Sequence, residues 1–430
     1  MIDKAPLELS EDFKYALDLM DKSPHHLFIT GRAGTGKSTL LQLFRNTTRK
    51  KIVVLAPTGI AALNVQGQTI HSFFGFPPRL LNRQEIRRRR NRKLYQRIET
   101  LVIDEISMVR ADMLDNIDYF LRLNRDNNQP FGGVQVLFFG DLFQLPPVVS
   151  KPVEQQLFQT TYDSPYFFSA HVFRDNFVME TVELQKTYRQ TARHFIRLLD
   201  AVRINQADED DLVDLNERHQ PDFELEDYYI TLSARNATVN SINSRKLAQL
   251  PGPEITFTAT IGGSFQPHLY PTKEILGLRL GSQVMFIKND PERKFVNGTI
   301  GKVTKLHPDG IEVRVREGGQ ERVIEVAKLE WEVLKYKAEP NDKGEIETEI
   351  LGTFKQYPLR LAWAITIHKS QGKTFDRVII DLGSGAFAHG QTYVALSRCR
   401  TLEGIVLKQK LRPRDIQVDE RIVEFYESSR

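Results

Sequence analysis

The first 180 residues alternate between short apolar runs and stretches in which apolar residues recur at helical spacing. The apolar runs, which predict buried strands, are residues 27–29, 52–55, 101–103 and 134–139. The helical stretches are residues 7–21, 40–44 and 110–125. Strands that alternate with helices in this way predict an α/β fold with a parallel sheet. The helix predicted at 110–125 places Met113, Ile117 and Leu121 on one face and acidic residues on the other, so we expect it to pack on the core.

The second half of the chain repeats this pattern around a region of different composition. A strand is predicted at 229–234 and a helix at 236–250. Between 251 and 354 the chain is rich in Thr, Val, Ile and Gly, with repeated turn signals. Short strands at this spacing predict a small antiparallel barrel. Because strand and helix patterns then resume, the barrel is an insertion in a second domain. The resumed patterns lie at 357–372, 378–382 and 416–425, the last of which predicts a closing helix.

Length and composition exclude several classes of protein. The 430 residues are enough for two or three domains. No apolar stretch approaches the ~20 residues that span a bilayer, and residues 1–12 lack a secretory core and an Arg-rich transit pattern, so we expect a cytoplasmic protein without a membrane partner. The single cysteine, Cys399, excludes an intrachain disulfide, and no Cys/His pairs have the spacing of zinc ligands.

Two features each have two interpretations. The formal net charge of +4 is too small to indicate a nucleic-acid partner by itself, but arginine and lysine cluster at residues 87–97. This basic cluster either contacts phosphates or forms a solvated connection. Phe73, Phe74 and Phe76 either stack on bases or anchor a loop by hydrophobic packing.

The strongest local signal is the sequence GRAGTGKST at residues 31–39. It follows an apolar run and precedes a helical stretch, which is the context that makes a G-x-x-x-x-G-K-[ST] motif credible as a P-loop. Backbone N–H groups and the helix N-terminus bind phosphate there. We expect Lys37 to reach the β and γ phosphates and Ser38 to ligate Mg²⁺.

Carboxylates and an amide follow two predicted strands of the same sheet. Asp104 and Glu105 come directly after the apolar run at 101–103. Downstream of a P-loop, this order predicts that Asp104 holds Mg²⁺ and that Glu105 polarises the attacking water. Gln144 follows the run at 134–139 and is a candidate sensor of the γ-phosphate; the alternative is a polar turn.

Two arginines in the second half are candidates for a cation that completes an ATP site. Fast hydrolysis usually needs such a cation, worth ~10³ to 10⁵ in rate. Arg189 ends a strand-like run and Arg398 lies near a predicted helix. Taken alone, either is more often a surface ion pair.

Hydroxyl, imidazole and ammonium groups at further strand ends suit a sugar-phosphate backbone. Thr58 and His71 are such groups in the first half, where strand-to-helix packing is the alternative explanation. Thr366, His368 and Lys369 follow an apolar run in the second half and suit phosphates.

Taken in order, these stretches resemble the PIF-type (petite integration frequency) DNA helicases of superfamily one, in the 5′→3′ branch that includes RecD-like enzymes. The resemblance covers nearly the whole chain and rests on a set of motifs that together are highly specific. These are GRAGTGKST, APTGIAALN, GQTIHSFF, VIDEISM, FGDLFQLPPV, LQKTYRQ, NGTIG, TIHKSQGKTFD and YVALSRCR.

The resemblance implies an α/β fold with two RecA-like P-loop domains, a small barrel of Src-homology type inserted in the second and a small wedge insertion in the first. The implied boundaries are 1–180 for the first domain with the wedge at about 66–81, 181–252 and 355–430 for the second domain, and 253–354 for the barrel. It also implies a helicase core without an added targeting or regulatory domain.

The resemblance also implies a role for each matching residue. The catalytic set is Lys37, Asp104, Glu105, Gln144, Arg189 and Arg398, with Ser38 and Asp104 on Mg²⁺. The ATP-binding set is Gly34, Thr35, Gly36, Lys37, Ser38, Thr39 and Gly372. The DNA-binding set is Thr58, Gly59, His71, Asn297, Thr366, His368 and Lys369. One position departs from the family: Phe13 stands where related enzymes carry a glutamine that reads adenine, which weakens the expectation of adenine selectivity.

The expected function is therefore an ATP-dependent helicase that moves 5′→3′ on single-stranded DNA and unwinds duplexes, with tailed duplexes, G-quadruplexes or RNA–DNA hybrids as substrates. We expect a monomer in solution and a location at the bacterial nucleoid, while the sequence leaves open whether a dimer forms on DNA. The alternative is a DNA-stimulated translocase that displaces proteins or serves a nuclease complex. A GTPase is disfavoured because the chain lacks N-K-x-D.

Overall fold

The computed structural model describes residues 10–149, 151–174, 177–317, 319–339, 341 and 345–428. Its first lobe is built on six strands paired in the order β3-β2-β4-β5-β1-β6, and every pair is parallel. The strands are β1 (His26–Gly31), β2 (Ile52–Ala56), β3 (Gln68–Thr69), β4 (Thr100–Ile103), β5 (Gln135–Phe139) and β6 (Met179–Leu184). The parallel sheet predicted from the alternating pattern is confirmed.

Helices cover both faces of this sheet. They are α1 (Glu11–Lys22), α2 (Lys37–Thr47), α3 (Gly59–Asn64), α4 (Ile70–Phe74), α5 (Lys93–Arg97), α6 (Ala111–Arg125) and α7 (Pro152–Thr160). The helix predicted at 110–125 is confirmed. The helix predicted at 7–21 begins at Glu11 within the described residues, and positions 7–9 lie outside them.

The acidic side of α6 is buried, which corrects the expectation of a polar face opposite the apolar one. Asp115 accepts hydrogen bonds from the Tyr162 hydroxyl (2.9 Å) and from the backbone N–H of Val172 (3.0 Å). Asp118 accepts from the N–H of Phe131 (2.6 Å). Buried carboxylates are stable when they are hydrogen-bonded in this way. The helix therefore packs on both sides, through apolar contacts on one and polar contacts on the other.

The chain then enters a second lobe, leaves it for the insertion and returns. Before the insertion come α8 (Arg193–Arg203), α9 (Glu209–Asn216), β7 (Ile230–Ser233) and α10 (Asn236–Gln249). The inserted strands are β8 (Ile255–Thr258), β9 (Thr260–Gly263), β10 (Ile275–Leu278), β11 (Gln283–Phe286), β12 (Ile300–His307), β13 (Gly310–Glu317), β14 (Gln320–Val326), β15 (Leu329–Tyr336), β16 (Thr348–Gln356) and β17 (Leu359–Leu361). The returning elements are β18 (Ala364–Thr366), α11 (Ile367–Ser370), β19 (Val378–Asp381), α12 (Gln391–Leu396), β20 (Ile405–Leu407) and α13 (Glu420–Ser428). Short 3₁₀ turns lie at Arg83–Glu85, Ile106–Met108, Pro130–Gly133, Phe167–Ser169, His171–Arg174, Pro267–Leu269 and Pro413–Asp415.

Strand direction separates the second lobe from the insertion. The strands of the second lobe pair in parallel in the order β18-β7-β19-β20. The inserted strands pair antiparallel, in the orders β14-β13-β12-β11-β17, β15-β16-β9 and β10-β8. Apolar residues of the first and last of these inserted sheets share one core, as the composition of residues 251–354 predicts for a small antiparallel unit.

Two long-range packings join the parts of the molecule. Tyr336 of β15 packs in the core of the first lobe, and its hydroxyl oxygen accepts a hydrogen bond from the N–H of Val54 (2.8 Å). Helix α13 also packs on the first lobe, although it follows the second. It begins at Glu420, not at the predicted residue 416, because the Asp419 carboxylate accepts from the N–H of Arg421 and caps the helix there.

The first lobe also decides between the two interpretations left open for the aromatic segment. Phe73, Phe74 and Phe76 are buried and pack against one another and against Phe120. They anchor a loop and are not presented to a ligand.

Candidate ATP and DNA sites

The P-loop has the backbone that its glycines allow. Gly34 and Gly36 have φ of 86° and 90°, in the left-handed region that favours glycine. A Cβ on Gly34 would lie 2.6 Å from the Cβ of Arg189, so this glycine also allows the loop to approach that arginine. Gly36 caps α2, and the N-terminal N–H groups of α2 therefore face the space in front of the loop.

Lys37 is held against the loop from which it projects. Its ammonium group donates to the carbonyl oxygens of Gly31 (2.7 Å) and Arg32 (3.0 Å). Burial lowers the pKa of Lys37 to about 8, while Asp141 acts in the opposite direction. A bound phosphate would supply negative charge beside this buried ammonium group.

Asp104 and Glu105 lie at the carboxyl end of β4. Burial and the neighbouring Glu105 carboxylate raise the pKa of Asp104 to about 7. Burial also raises the pKa of Glu105, against the effects of Lys37 and Arg398. Glu105 has φ of 51°, an uncommon conformation for a residue with a side chain. Strained backbone of this kind is enriched at functional sites.

All of these groups line one cavity of about 490 Å³ between the two lobes. Its first-lobe lining comprises Phe13, Ala33, Gly34, Thr35, Gly36, Lys37, Ser38, Thr39, Asp104, Glu105, Gly140, Asp141 and Gln144. Beyond β6 it is lined by Tyr188, Arg189, Gly372, Thr374, Arg398 and Arg400. Every residue that the sequence assigns to catalysis, ATP or Mg²⁺ therefore borders the same space.

The two candidate arginines are oriented by the second lobe. Arg189 donates from Nε to Thr374 Oγ1 (2.8 Å) and from Nη1 to the carbonyl of Ser397 (3.0 Å). Arg398 is fully buried and donates to the carbonyl of Val394 (2.9 Å) and to Ser397 Oγ (2.8 Å). Burial lowers the pKa of both, that of Arg398 to about 10, although the nearby Glu105 and Asp141 carboxylates act on Arg398 in the opposite direction.

Sequence reasoning missed a buried ion pair beside this cavity. Asp141 accepts from Arg203 of α8 (3.1 Å) and from Gln144 Nε2 (3.2 Å). The guanidinium carbon of Arg203 lies 4.4 Å from the centre of the Phe143 ring. The pair links the first lobe to the second directly behind Gln144. Asp141 lies inside a recognised motif, but nothing local distinguishes Arg203 from a surface arginine of an amphipathic helix.

A second cavity, of about 230 Å³, lies between α3, the insertion and the second lobe. Its lining residues are Thr58, Ile60, Ala61, Leu63, Asn64, Glu105, Met108, Pro271, Ile287, Asn297, Trp331, Arg360, His368, Lys369, Gln371 and Lys373. Four of the residues assigned to DNA are among them: Thr58, Asn297, His368 and Lys369.

The other three residues assigned to DNA do not line this cavity. Gly59 adjoins it and packs on Leu269, whose Cδ2 lies 2.3 Å from where a Cβ on Gly59 would stand. Thr366 is buried and caps α11 by accepting from the N–H of Lys369 (3.2 Å). His71 lies on α4, where burial and the nearby Arg110 lower its imidazole pKa.

The second cavity is cationic and incompletely hydrogen-bonded. Burial lowers the pKa of Lys373 to about 8, and Arg360 and Arg398 act in the same direction. Asn297 Oδ1 and Gln371 Nε2 are buried without a hydrogen-bond partner among the described residues. An anionic ligand with hydrogen-bonding groups would supply what these side chains lack.

The two cavities meet at one shared residue and one shared segment of chain. Glu105 lines both of them. Gln371 and Lys373 line the second cavity, while Gly372 and Thr374 line the first. Thr374 also accepts the hydrogen bond from Arg189. A single segment of chain therefore faces both spaces with alternate residues.

The basic cluster at residues 87–97 is partly engaged within the first lobe. Arg88 and Arg92 both pair with Asp126. Arg89 donates to the carbonyl of Phe74. For Arg88, Arg89 and Arg92, these contacts favour a role as a connection within the first lobe over contact with phosphates.

Comparison with known proteins decides the family. The model for PIF1-like helicases matches residues 8–212. The ATP-dependent DNA helicase Pif1 of Bdellovibrio bacteriovorus is 35% identical over 98% of this chain and 92% of its own length. This chain belongs to the PIF1-like helicase family. The human ATP-dependent DNA helicase PIF1 is also 35% identical, but the chain covers only 64% of its length.

Solved structures of PIF1-like helicases share the fold. Unliganded Pif1 from Bacteroides sp is 39% identical, with a TM-score of 0.90 over 98% of this chain and 97% of its own. The same protein bound to single-stranded DNA is 40% identical over the same shares, with a TM-score of 0.67. The predicted α/β class with two RecA-like domains is confirmed, and the chain is an ATP-dependent DNA helicase by family.

The described residues contain no group of three or more His, Cys, Asp or Glu side chains arranged to hold a metal ion. None of the described helices is both long and apolar enough to cross a bilayer.

We expect nucleotide affinity to be highest between about pH 7 and 8. Below its pKa of about 7, Asp104 gains a proton and loses the charge that would attract Mg²⁺. Above its pKa of about 8, Lys37 loses a proton and the charge that attracts phosphate. Each effect approaches about tenfold per pH unit. Titration of a fluorescent ADP analogue with Mg²⁺ from pH 6 to 9 measures this, and an affinity that stays constant would contradict it.

Proposed function

We propose that this chain couples ATP hydrolysis in the cleft between its lobes to 5′→3′ movement on single-stranded DNA, and so separates tailed duplexes. The observation that carries the proposal is the shared boundary of the two cavities, formed by Glu105 and residues 371–374. A change at the γ-phosphate reaches the second cavity through Glu105, which lines both cavities, and through the segment 371–374, whose residues line one cavity or the other.

In the ATP cavity, we assign binding of the phosphates to the P-loop N–H groups and Lys37. The hydroxyl of Ser38 and the carboxylate of Asp104 are oxygen ligands of the kind that Mg²⁺ prefers, so these residues would hold the ion. Bound there, Mg²⁺ would neutralise charge on the β and γ phosphates. Glu105 orients and deprotonates the attacking water, and Gln144 contacts the γ-phosphate.

Arg189 and Arg398 respond to the γ-phosphate in this proposal. Both are oriented by second-lobe groups and both border the P-loop cavity. Their attraction to a triphosphate closes the cleft, and loss of the γ-phosphate weakens it. Each cycle of closure and opening of the cleft moves one lobe relative to the other along the single DNA strand.

In the second cavity, we assign the DNA backbone to the cationic and unpartnered groups. Lys369, Lys373 and Arg360 supply charge, while Asn297 and Gln371 supply hydrogen bonds. The Thr58 and Thr366 side chains cap the short helices α3 and α11. In this proposal, the caps position the N-terminal backbone N–H groups of these helices beside the DNA strand. Gly59, His71 and His368 complete the proposed DNA-binding set.

The domain boundaries predicted from the sequence are part of this proposal. The segment at about 66–81 is assigned as the wedge that prevents the separated DNA strands from reannealing.

G-quadruplex DNA is a further proposed substrate, and a nucleoid location is a further expectation. A Pif1 structure that is 38% identical to this chain is described as two coordinating helicases that unwind forked double-stranded DNA. We infer that this chain is a monomer in solution and pairs on DNA. The TM-score of this chain is 0.90 against unliganded Pif1 and 0.67 against DNA-bound Pif1. We therefore assign the arrangement of its lobes and insertion to the DNA-free state.

Strand displacement from matched tailed duplexes tests the proposed function. We expect release of the strand ahead of a 5′ tail with ATP and Mg²⁺, and little release from the duplex with a 3′ tail. Equal release from both would contradict the polarity. ATP hydrolysis without release from either would favour a translocase that does not separate strands.

Replacement of Lys373 tests the DNA site. We expect Lys373→Ala to weaken binding of oligothymidine and to reduce the slope of log affinity against log salt by about 0.7, because one phosphate contact is lost. Fluorescence anisotropy across a salt series measures both. Lys410→Ala, which removes an exposed lysine of the second lobe, is the matched control. An unchanged slope for Lys373→Ala would exclude the contact.

A further inference from the structure

Helix α13 crosses from the second lobe to the first. Its residues Ile422 and Tyr426 are buried in the core of the first lobe. The ring of Phe425 stacks on that of Phe168, with the ring centres 4.5 Å apart and the planes at 9°. The end of the described chain is therefore attached to the lobe that carries the P-loop, and one of its side chains reaches the back of the ATP site.

The hydroxyl of Tyr426 contacts the strand that leads into the P-loop. It lies 2.6 Å from Thr30 Oγ1, and Thr30 is fully buried at the end of β1. The next residue is Gly31, whose carbonyl oxygen accepts from the ammonium group of Lys37. Burial raises the pKa of Tyr426, so its hydroxyl remains protonated and able to hydrogen-bond.

The ring of Tyr426 contacts the segment of the ATP site that carries Gln144. It stacks on Phe143, with the ring centres 5.0 Å apart and the planes at 19°. Phe143 lies between Asp141 and Gln144, and the Arg203 guanidinium lies over its ring. One side chain thus touches the base of the P-loop through its hydroxyl and the γ-phosphate sensor segment through its ring.

We propose that Tyr426 is a positioning residue of the ATP site, which fixes the P-loop strand relative to the segment that carries Gln144. This inference rests on the proposed function, because it assigns a role to a residue behind that site. The hydroxyl sets the position of β1 and hence nucleotide affinity. The ring sets the position of Phe143 and hence the rate of hydrolysis.

The two contacts predict different kinetic effects. Tyr426→Phe keeps the ring but leaves the Thr30 hydroxyl unpaired, and we expect nucleotide affinity to fall about fivefold with kcat within about twofold of wild type. Tyr426→Leu removes the ring as well, and we expect kcat to fall about tenfold in addition, because Gln144 loses its support.

A double variant separates positioning from simple stability. Thr30→Val with Tyr426→Phe removes both polar partners, so thermal stability should recover most of what Tyr426→Phe loses. Nucleotide affinity should stay low, because the link to β1 is still absent. Phe425→Leu is the matched control: it removes a neighbouring ring of the same helix and should lower the melting temperature while affinity and kcat stay unchanged.

The measurements are melting temperature, affinity for a fluorescent ADP analogue, and DNA-stimulated kcat for each full-length variant. Normal nucleotide affinity in Tyr426→Phe would overturn the proposal. So would recovery of affinity together with stability in the double variant, since that shows a structural role only. Wild-type protein that hydrolyses no ATP would refute the proposed function instead, which keeps the two failures distinct.

Discussion

Replacement of Arg398 by alanine should lower DNA-stimulated kcat for ATP by a factor of about 10³ to 10⁵, the range for an arginine that stabilises the transition state of phosphoryl transfer. Arg398 is oriented by Val394 and Ser397, lines the P-loop cavity, and has no carboxylate partner within hydrogen-bond distance among the described residues. Its charge is therefore free to act on a phosphate. Steady-state hydrolysis with saturating single-stranded DNA measures the effect.

A lower rate identifies the role of Arg398 only if the variant protein remains folded, so two controls accompany it. Arg398→Lys keeps the positive charge but loses the fixed guanidinium geometry, and should retain part of the activity. Arg414→Ala removes an exposed arginine of the second lobe and should leave kcat unchanged. If Arg398→Ala binds ADP normally, keeps its melting temperature and hydrolyses ATP within tenfold of wild type, the assigned role is wrong.

The second large effect is expected at the two adjacent carboxylates, which should respond differently. Glu105→Gln removes the base that accepts the proton of the attacking water, so kcat should fall by a factor of about 10² to 10⁴. Mg²⁺-dependent nucleotide affinity should persist because Asp104 is intact. Asp104→Asn should instead weaken that affinity. Parallel measurement of kcat and of ADP binding at several Mg²⁺ concentrations distinguishes the two variants.

The matched chemistry of these variants makes the comparison informative. Each replaces a carboxylate by an amide of nearly the same shape at consecutive positions, so differences in packing are small. Identical defects in both variants would contradict the separation of roles. Full activity of Glu105→Gln would exclude it as the base.

Local signals explain what the sequence predicted well. The P-loop and the carboxylates after β4 depend on short-range patterns, in which apolar runs bury a strand and leave polar residues at its end. Parallel strands align those ends at one edge of a sheet. The residues that the sequence assigned to ATP therefore all line one cavity, although the sequence contained no distance between them.

Contacts between distant parts of the chain explain what was missed. Asp115 of α6 is buried because Tyr162 and Val172 supply donors from another element. Arg203 pairs with Asp141 across the lobes, and Tyr426 reaches Thr30 from 396 residues away. A periodic pattern identifies the helix face that will be buried, but it does not identify the residues that pack against that face.

The central claim is that the second cavity and the ATP cavity are coupled through Glu105 and residues 371–374. The rate of ATP hydrolysis with and without single-stranded DNA tests this claim most directly. At saturating ATP and Mg²⁺, we expect saturating oligothymidine to raise kcat at least about tenfold, and Lys373→Ala to require more DNA for the same stimulation. A wild-type rate that is the same with and without DNA would contradict the account.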